Sequence, residues 1–219
     1  MQPYFFPYQG YFKLINSVDL FVIYDDVNYI NRGWINRNYI ILNGKKKLIT
    51  MPLVASSQNK LINDINVDKR NHKLIETIRH AYSKSVQFKD VYPIIAGAID
   101  NQETNLGYYL THQLKDICKH INIKTKFIMS SEINKDNKAR GIDKIIAICK
   151  KLGANTYINL PGGRDLYDFS VFSDNKIELK FSTHEPKKYH QLSDEWVPNL
   201  SIIDLMMNVK KTDLLSYMA

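Results

Sequence analysis

Two adjacent aspartates, Asp25 and Asp26, follow a short apolar run and are the side chains in this sequence best placed for acid–base chemistry. The run DLFVIYD, residues 19–25, is bounded by acidic residues and predicts a buried strand. A carboxylate just after such a strand can act as a general base or can hold a metal ion. We predict Asp25 and Asp26 as catalytic residues. The alternative is a surface loop whose charges are solvated.

The polar segment that follows, residues 28–38, carries side chains suited to a phosphorylated ligand. Guanidinium groups bind phosphate through two parallel hydrogen bonds, so Arg32 and Arg37 could clamp a diphosphate. Trp34 could stack on a base or on a sugar ring. We predict Arg32, Asn36 and Arg37 as nucleotide-binding residues and Trp34 as a substrate-binding residue.

The opening run MQPYFFPYQGYFKLI combines two prolines and a glycine with several aromatic residues. Its prolines favour an extended backbone, and Gly10 stands where a helical pattern begins. Free N–H groups and the dipole at a helix N-terminus bind phosphate. We therefore predict that Tyr8, Gln9, Gly10 and Tyr11 line a nucleotide. The alternative is aromatic packing in the core, because aromatic stripes are usually buried.

Two later segments add candidate ligand contacts. The apolar run 156–160 leads into Gly162 and Gly163, whose lack of side chains lets the backbone approach a ligand closely. A tight turn is the alternative there, since a Gly-Gly pair alone is weak evidence. His190 follows the last predicted strand and could contact a substrate hydroxyl. The predicted residues of these segments are Gly162 and Gly163 for the nucleotide, Arg164 and Gln191 for the substrate, and His190 for catalysis.

Hydrophobic periodicity predicts the elements that must position these segments. Helical spacing covers residues 10–18, 71–85, 88–102, 106–120 and 139–152, and a short apolar helix follows residue 201. Strand patterns cover residues 19–25, 39–42, 47–53, 61–67, 126–129, 156–160 and 177–181. The Asn-Gly at positions 43 and 44 predicts a hairpin between the second and third of these strands.

Strand and helix patterns alternate on both sides of a helical block, residues 71–121. This order predicts a single α/β domain over residues 1–219, with a mostly parallel sheet and helices on its faces. The helical block would then form an insertion or a lid. In such a sheet ligands bind beyond the carboxyl ends of the strands, where the candidate loops would lie.

Charge and cysteine content limit the possible binding partners and the cellular compartment. The formal net charge is +8 and the isoelectric point is near 9.2, which suits nucleic acid, an anionic membrane surface or a phosphorylated small molecule. The basic run at residues 45–47 follows a turn signal and is interpreted as a solvated hairpin tip rather than a phosphate or nucleic-acid patch.

The two cysteines lie in apolar helical patterns, typical of buried thiols in a reducing cytosol. No apolar run approaches the roughly 20 residues of a membrane span and no secretory signal is present, so a cytoplasmic location is predicted.

The run Tyr8-Gln9-Gly10-Tyr11 resembles the His-x-Gly-His motif of the nucleotidyltransferase superfamily, which includes pantothenate synthetase. The resemblance implies a Rossmann-like fold of the HIGH-type nucleotidyltransferases, in which this motif opens the first helix and packs on ATP. Tyrosines replace both histidines here; they can stack and donate hydrogen bonds but are poor cations at neutral pH. The segment therefore favours nucleotide binding over adenylyl transfer. Such a fold also needs a first strand before this loop, and we expect that strand upstream of Met1 or missing.

Several stretches, taken together, resemble the WbqC-like protein family. Members of this family are found among bacterial genes for O-antigen lipopolysaccharide and other surface polysaccharides, some of which make 4-amino-4,6-dideoxy sugars with acylated amines. The resemblance implies an enzyme that acylates or aminoacylates, for example glycylates, the amino group of a nucleotide-linked deoxyamino sugar. The matching stretches, in family order, are QPYFFPYQGYFKLI, DLFVIYDDVNYINRGWINRN, LITMPL, SQNKLINDI, LGANTYINLPGGRDLY, YHQ and LSIIDLMMN.

The resemblance also implies the partners of such an enzyme. They are a nucleotide-linked amino sugar and an acyl or amino-acid donor, with ATP and magnesium activating the carboxylate of the donor. We expect no metal site built by the protein, no nucleic-acid partner and no membrane insertion, and homo-oligomerisation stays open. The alternative function is a non-catalytic nucleotide-sugar-binding protein in polysaccharide assembly. RNA binding through the net positive charge ranks last.

Overall fold

The computed structural model describes residues 1–136 and 138–218, and of Leu166 only the backbone. The described residues form the α-helices α1 (Gln9–Asn16), α2 (His72–Tyr82), α3 (Phe88–Ile99), α4 (Leu106–Ile121), α5 (Gly141–Lys151), α6 (Phe169–Asp174), α7 (Ile202–Asn208) and α8 (Lys211–Leu214). The strands are β1 (Leu20–Ile23), β2 (Arg37–Leu42), β3 (Lys45–Thr50), β4 (Leu53–Val54), β5 (Asn66–Val67), β6 (Lys126–Met129), β7 (Thr156–Asn159) and β8 (Glu178–Phe181). Short 3₁₀ turns cover Ile62–Asp64, Ser130–Glu132, Pro161–Leu166 and Leu215–Tyr217.

The parallel pair β1–β6 sets the edge where the first candidate segment lies. Ile23, the last residue of β1, stands opposite Met129, the last residue of β6, so the two carboxyl ends are level. Asp25 follows one strand and the turn Ser130–Glu132 follows the other. On the far side of β1, the terminal amine of Met1 donates to the carbonyl of Val22 (2.8 Å), and the carbonyl of Met1 accepts from the amide of Tyr24 (2.8 Å).

The mixed α/β class is confirmed, but the predicted mostly parallel sheet is not. The described strands pair in four two-stranded sheets: β1–β6 and β7–β8 are parallel, whereas β2–β3 and β4–β5 are antiparallel. The hairpin β2–β3 matches its prediction, because Asn43 (φ 52°) and Gly44 (φ 74°) both take the left-handed backbone that a tight hairpin turn requires. The strand predicted at 61–67 is mostly a 3₁₀ turn followed by β5, and α6 and β4 had no clear sequence pattern.

The helices α2, α3 and α4, within the predicted helical block, share the main hydrophobic core with α1 and β1. Gln113 of α4 is fully buried and accepts a hydrogen bond from the backbone amide of Phe6 (2.8 Å), which ties this block to the opening segment. The block is therefore packed against the N-terminal elements. Side chains that share this core include Phe12, Leu14, Ile23, Ile78, Ile95, Leu110 and Leu114.

A second, smaller core lies between α5, α6 and the β7–β8 pair. Its buried members are Ile145, Ile146, Cys149, Phe172, Ile177 and Leu179. No helix of the described residues is both long enough and apolar enough to cross a bilayer. Both cysteines are free and buried, as predicted for structural thiols.

A buried carboxylate holds helix α7 near the end of the chain. Asp204 is fully buried, and its Oδ2 accepts a hydrogen bond from the hydroxyl of Tyr82 on α2 (2.8 Å). Burial raises the pKa of Asp204 to about 6, although hydrogen bonds to the carboxylate, from Tyr82 first, oppose the shift. This side chain therefore joins α7 to α2 through a group that titrates near neutral pH.

Candidate functional site

Asp25 joins the segments that meet at the carboxyl ends of β1 and β6. Its side chain is fully buried and accepts hydrogen bonds from the amide of Ser131 (3.0 Å), the hydroxyl of Ser131 (2.6 Å) and the side-chain amide of Asn63 (3.2 Å). Gly107 of α4 lies so close that an added Cβ would stand 3.3 Å from the Cβ of Asp25. The carboxylate thus links three segments, and both of its oxygens are in use.

Asp26 lies beside it and binds two lysines at one carboxylate oxygen. The Oδ2 atom is 2.8 Å from Nζ of Lys135 and 3.0 Å from Nζ of Lys144. The exposed fractions of the three side chains are 12% for Asp26, 1% for Lys135 and 5% for Lys144. Oδ1 of Asp26 is buried and accepts no hydrogen bond from the described residues. This ion-paired group is called the Asp26 cluster below.

Among the described residues, two acceptors engage each ammonium group of the Asp26 cluster, which leaves one donor on each. An ammonium has three N–H donors. Lys135 uses one on Asp26 and one on the carbonyl of Ser130, while Lys144 uses one on the Asp26 carboxylate and one on the Asp26 carbonyl (2.6 Å). The Lys144 ammonium also lies 5.1 Å from the centre of the Tyr24 ring. The remaining donors could bind an anionic oxygen of a ligand.

The electrostatics keep Asp26 ionised and Tyr24 neutral. Burial alone would raise the pKa of Asp26, but hydrogen bonds from neighbouring side chains, Lys135 first, outweigh it and lower the pKa below its ordinary value. Burial raises the pKa of Tyr24 to about 12, and the charge of Asp26 adds to this shift. Tyr24 is therefore a hydrogen-bond donor at neutral pH, and Asp26 is a permanent negative charge.

The carboxylates do not fit a metal site. Mg²⁺ takes carboxylate, carbonyl and water oxygens as ligands. The oxygens of Asp25 already accept from Ser131 and Asn63, and Oδ2 of Asp26 accepts from two ammonium groups. In residues 1–136 and 138–218 there is no cluster of three or more His, Cys, Asp or Glu side chains that could hold a metal ion.

A small groove adjoins the site on the other side of Tyr108. The hydroxyl of Tyr108, at the first turn of α4, donates to the carboxylate of Glu132 (3.0 Å). The groove between α4 and β6 has a volume of about 160 Å³, with Glu132 near one end and Lys115 near the other. Phe127, Ile128 and Met129 contribute apolar lining.

The opening segment lies largely in the core. Tyr11 is fully buried, and its hydroxyl donates to the carbonyl of Gln2 (2.7 Å). Gln9 and Gly10 are also buried, and only Tyr8 of the four predicted nucleotide contacts is half-buried. A Cβ added at Gly10 would lie 2.5 Å from Tyr8 and 2.8 Å from the ring of His184. A phosphate can thus reach the first turn of α1 only if these rings move aside.

The predicted residues of the second segment lie on a loop and hairpin that follow β1. Arg37 donates from Nε to the carbonyl of Gly33 (3.0 Å) and from a terminal nitrogen to the carbonyl of Arg32, so it holds the loop. Asn36 is engaged at both side-chain atoms, accepting from Tyr29 (2.8 Å) and donating to the carbonyl of Met51 (2.9 Å). Trp34 is 45% exposed.

The third segment brings its glycines close to an aromatic cluster. A Cβ added at Gly163 would lie 2.9 Å from the amide nitrogen of Asn159, which itself donates to the hydroxyl of Tyr167 (3.1 Å). Gly162 borders open space, and the guanidinium of Arg164 lies 5.8 Å from the centre of the Phe181 ring. The glycine at 163 is therefore required by close packing, while Gly162 is free to meet a ligand.

The two predicted residues near position 190 differ in exposure. His190 is exposed. Gln191 is buried and spans a loop. Its side-chain nitrogen donates to the carbonyl of Val197 (2.9 Å), and its side-chain oxygen accepts from the backbone amide of Val197 (2.8 Å). Gln191 therefore stabilises the loop with its whole side-chain amide.

Sequence patterns missed Lys135, Lys144, Ser131 and Asn63 as parts of the site. One signal was present for Lys144, because it falls on the apolar face of α5 beside Ile145 and Ile148, where a lysine is seldom buried without a partner. Asn63 and Ser131 lie in short 3₁₀ turns and Lys135 follows the second of these turns, and their contacts with Asp25 and Asp26 depend on the fold. The structure does place Asp25 and Asp26 together at the predicted strand end.

Comparison with known proteins agrees with these motifs. The model of the WbqC-like protein family matches residues 2–215. The chain is also 29% identical over 218 residues to a protein of Mycobacterium tuberculosis (strain ATCC 25618 / H37Rv) described as "Uncharacterized protein Rv1507c", covering 95% of this chain and 92% of that protein. No solved structure matches the chain. Because the family match spans nearly the whole chain, this protein belongs to the WbqC-like protein family.

Proposed function

We propose that this protein transfers an acyl or aminoacyl group, for example glycyl, to the amino group of a nucleotide-linked deoxyamino sugar in bacterial surface-polysaccharide biosynthesis. The observation that carries the proposal is the Asp26 cluster, with two buried lysines at the carboxyl ends of parallel strands. The resemblance of the sequence to the family found among O-antigen genes supports the substrate class.

The position and charge of the Asp26 cluster suit the diphosphate of such a sugar. Nucleotides bind beyond the carboxyl ends of parallel strands in open α/β folds. Lys135 and Lys144 each retain one N–H donor, and charge-assisted hydrogen bonds to phosphate are stronger than neutral ones. A Rossmann-like arrangement of the nucleotide around β1 is part of the proposal.

The proposed reaction forms one amide bond. The lone pair of the sugar amine attacks the carbonyl carbon of an activated acyl donor, the C–N bond forms, and the bond to the leaving group breaks. The amine proton passes to the departing group or to water. Oδ1 of Asp26, which accepts no hydrogen bond from the described residues, is suited to orient the amine. The low pKa of Asp26 makes it an orienting group rather than a strong base.

The groove between α4 and β6 suits the donor. A free amino acid carries an ammonium and a carboxylate, and the groove offers Glu132 at one end and Lys115 at the other. A volume of about 160 Å³ admits a small amino acid rather than a large one.

Mass spectrometry tests the reaction directly. The protein would be incubated with a nucleotide-linked 4-amino-4,6-dideoxy sugar and with glycine, ATP and magnesium, and in parallel with acyl thioesters. We expect the mass of the sugar nucleotide to rise by one acyl or glycyl group. Lys144→Met should abolish product, while the exposed Lys151→Met on the same helix should leave it unchanged. Absence of product with every donor would refute the reaction for these substrates.

A non-catalytic nucleotide-sugar-binding protein is the second candidate. The observation that favours it is that both oxygens of Asp25 already accept hydrogen bonds from Ser131 or Asn63, and that Asp26 is a weak base. Under this alternative the sugar nucleotide raises the melting temperature, Lys144→Met removes the rise, and no acylated product forms. A melting shift together with turnover selects the enzyme.

A further inference from the structure

Residues 27–63 hold an unusual charge distribution. This segment contains Arg32, Arg37, Lys45, Lys46, Lys47 and Lys60 and none of the 22 acidic residues of the chain. It therefore supplies +6 of the formal net charge of +8. Charge on most protein surfaces is mixed in sign, so a face of one sign indicates an oppositely charged partner.

The fold gathers part of this segment on one face of the hairpin β2–β3. Arg37, Tyr39 and Lys46 project to the same side, because Tyr39 pairs with Leu48 and Ile41 pairs with Lys46 in the antiparallel register. The ammonium of Lys46 lies 4.3 Å from the centre of the Tyr39 ring. Trp34 contacts the same ring edge to face, with ring centres 5.9 Å apart. These contacts make the aromatic and basic side chains one continuous surface.

The loop before the hairpin presents two large apolar side chains at this surface. Arg37 holds the loop through the carbonyls of Gly33 and Arg32. Gly33 packs against Ile30 so closely that an added Cβ would lie 3.0 Å from its side chain. Ile30 is nevertheless 49% exposed and Trp34 is 45% exposed. The protein thus holds an aliphatic and an indole side chain out toward solvent beside basic groups.

We propose that this face, formed by Ile30, Arg32, Trp34, Tyr39 and Lys46, adsorbs to an anionic lipid membrane surface. Interfacial proteins combine lysine and arginine with exposed tryptophan and aliphatic residues, which enter the headgroup region while the charges meet anionic lipids. The adsorption is peripheral, and no helix of the described chain needs to span the bilayer.

Two observations favour lipid over nucleic acid as the partner. Single-stranded nucleic acids stack their bases on open aromatic faces. The Tyr39 ring is instead covered by Lys46 on its face and contacted by Trp34. The exposed aliphatic side chain of Ile30 has no role in contacting phosphates or bases, whereas the acyl–headgroup boundary accepts it.

Tryptophan fluorescence provides a direct assay. The chain has two tryptophans, so Trp196→Phe leaves Trp34 as the reporter on the proposed face. We expect its emission to shift to the blue on adding vesicles of equal phosphatidylcholine and phosphatidylglycerol, and to stay unchanged with pure phosphatidylcholine. Sedimentation with the anionic vesicles should weaken as salt rises, since charge attraction is screened.

Two basic residues of this face, changed together, give the magnitude. Neutralising Arg32 and Lys46 to Gln should weaken binding to the anionic vesicles about 30-fold, from the contribution of each basic residue at such a surface. The matched control neutralises two exposed lysines elsewhere, Lys84 and Lys151. Ile30→Ser should also weaken binding while leaving the charge intact.

Three results would overturn the proposal. The first is the absence of sedimentation with anionic vesicles at low salt. The second is an equal loss in the control double variant, which would indicate general charge attraction. The third is a Trp34 response to a single-stranded oligonucleotide at concentrations where vesicles cause none, which would identify a nucleic-acid surface instead. Circular dichroism of each variant establishes that it is folded.

Discussion

Asp26→Asn isolates the charge at the centre of the proposed site. The amide has almost the same shape as the carboxylate, but it leaves the ammonium groups of Lys135 and Lys144, which stood 2.8 and 3.0 Å from Oδ2, without a counter-charge. Both lysine side chains are at least 95% buried, so water screens their repulsion poorly. Removing one partner from a buried ion pair typically costs about 3–5 kcal/mol. We expect a loss of about 3 kcal/mol in the free energy of unfolding.

Urea unfolding followed by far-ultraviolet circular dichroism measures this loss. The control is Asp19→Asn, an exposed aspartate just before β1, for which we expect a change below about 0.5 kcal/mol. A loss of less than about 1 kcal/mol for Asp26→Asn at pH 7 would refute the reasoning, because it would mean that water or a change of conformation already compensates the two ammonium groups.

The effect of Asp26→Asn on stability should depend on pH, and the direction of the pKa shift of Asp26 gives the sign. The folded pKa of Asp26 lies below its ordinary value of 3.8, so the folded state binds this proton more weakly than the unfolded state. The stabilisation from Asp26 is therefore present above about pH 4 and is lost as the pH falls through the folded pKa. The difference between the wild type and Asp26→Asn should shrink below pH 4. A difference that stays constant down to pH 3 would contradict the assigned shift.

Three further changes test other parts of the structure. Gly10→Ala places a Cβ within 3 Å of Tyr8 and His184, and we expect it to destabilise the fold by about 1–3 kcal/mol, seen as a lower melting temperature. Asp204→Asn should remove a pH dependence. The folded pKa of Asp204 is raised to about 6, so the stabilisation from its protonated form is complete below about pH 4 and falls by roughly 3 kcal/mol as the pH rises from 4 through 6, a fall that the variant should lack in urea unfolding. Lys115→Met should raise the KM for the amino-acid donor more than tenfold without changing that for the sugar nucleotide, and equal effects on both would refute the assignment of the groove.

Periodicity predicted most elements because local patterns decide them. β6 has the predicted bounds, 126–129, and the hairpin follows from Asn43 and Gly44, whose left-handed backbone other residues seldom adopt. The sheet arrangement was not predictable in the same way. Alternation of strands and helices favours a parallel sheet, yet among the described strands the four-residue strands β1 and β7 each pair with one partner, β6 and β8.

In the site, too, residues next to a predicted strand could be found from the sequence, whereas residues distant along the chain could not. Asp25 and Asp26 were found because they adjoin a strand, a relation visible in neighbouring letters. Lys135 and Lys144 lie more than a hundred positions away and reach Asp26 only because β6 pairs with β1 and because α5 turns its buried face toward this edge. Tyr11 illustrates the opposite case: its spacing suggested a ligand contact, but burial against Tyr4, Phe12 and Phe21 places it in the core.

The proposed site and the proposed membrane face lie on one short stretch of chain. Ile30 follows Asp26 by only four positions, which limits the distance between their Cα atoms to roughly 14 Å at full extension. The stretch is pinned, since the carbonyls of Asp25 and Val27 accept from Asn63 and Ile62 (3.1 and 2.9 Å). Adsorption through Ile30 and Trp34 would therefore hold the Asp26 cluster close to the headgroups. A charged nucleotide sugar bound there would lie at the membrane surface. The two proposals together require that Lys135 and Lys144, which would bind its phosphates, do not contact the lipid. Their burial meets this requirement, because the two side chains are 1% and 5% exposed.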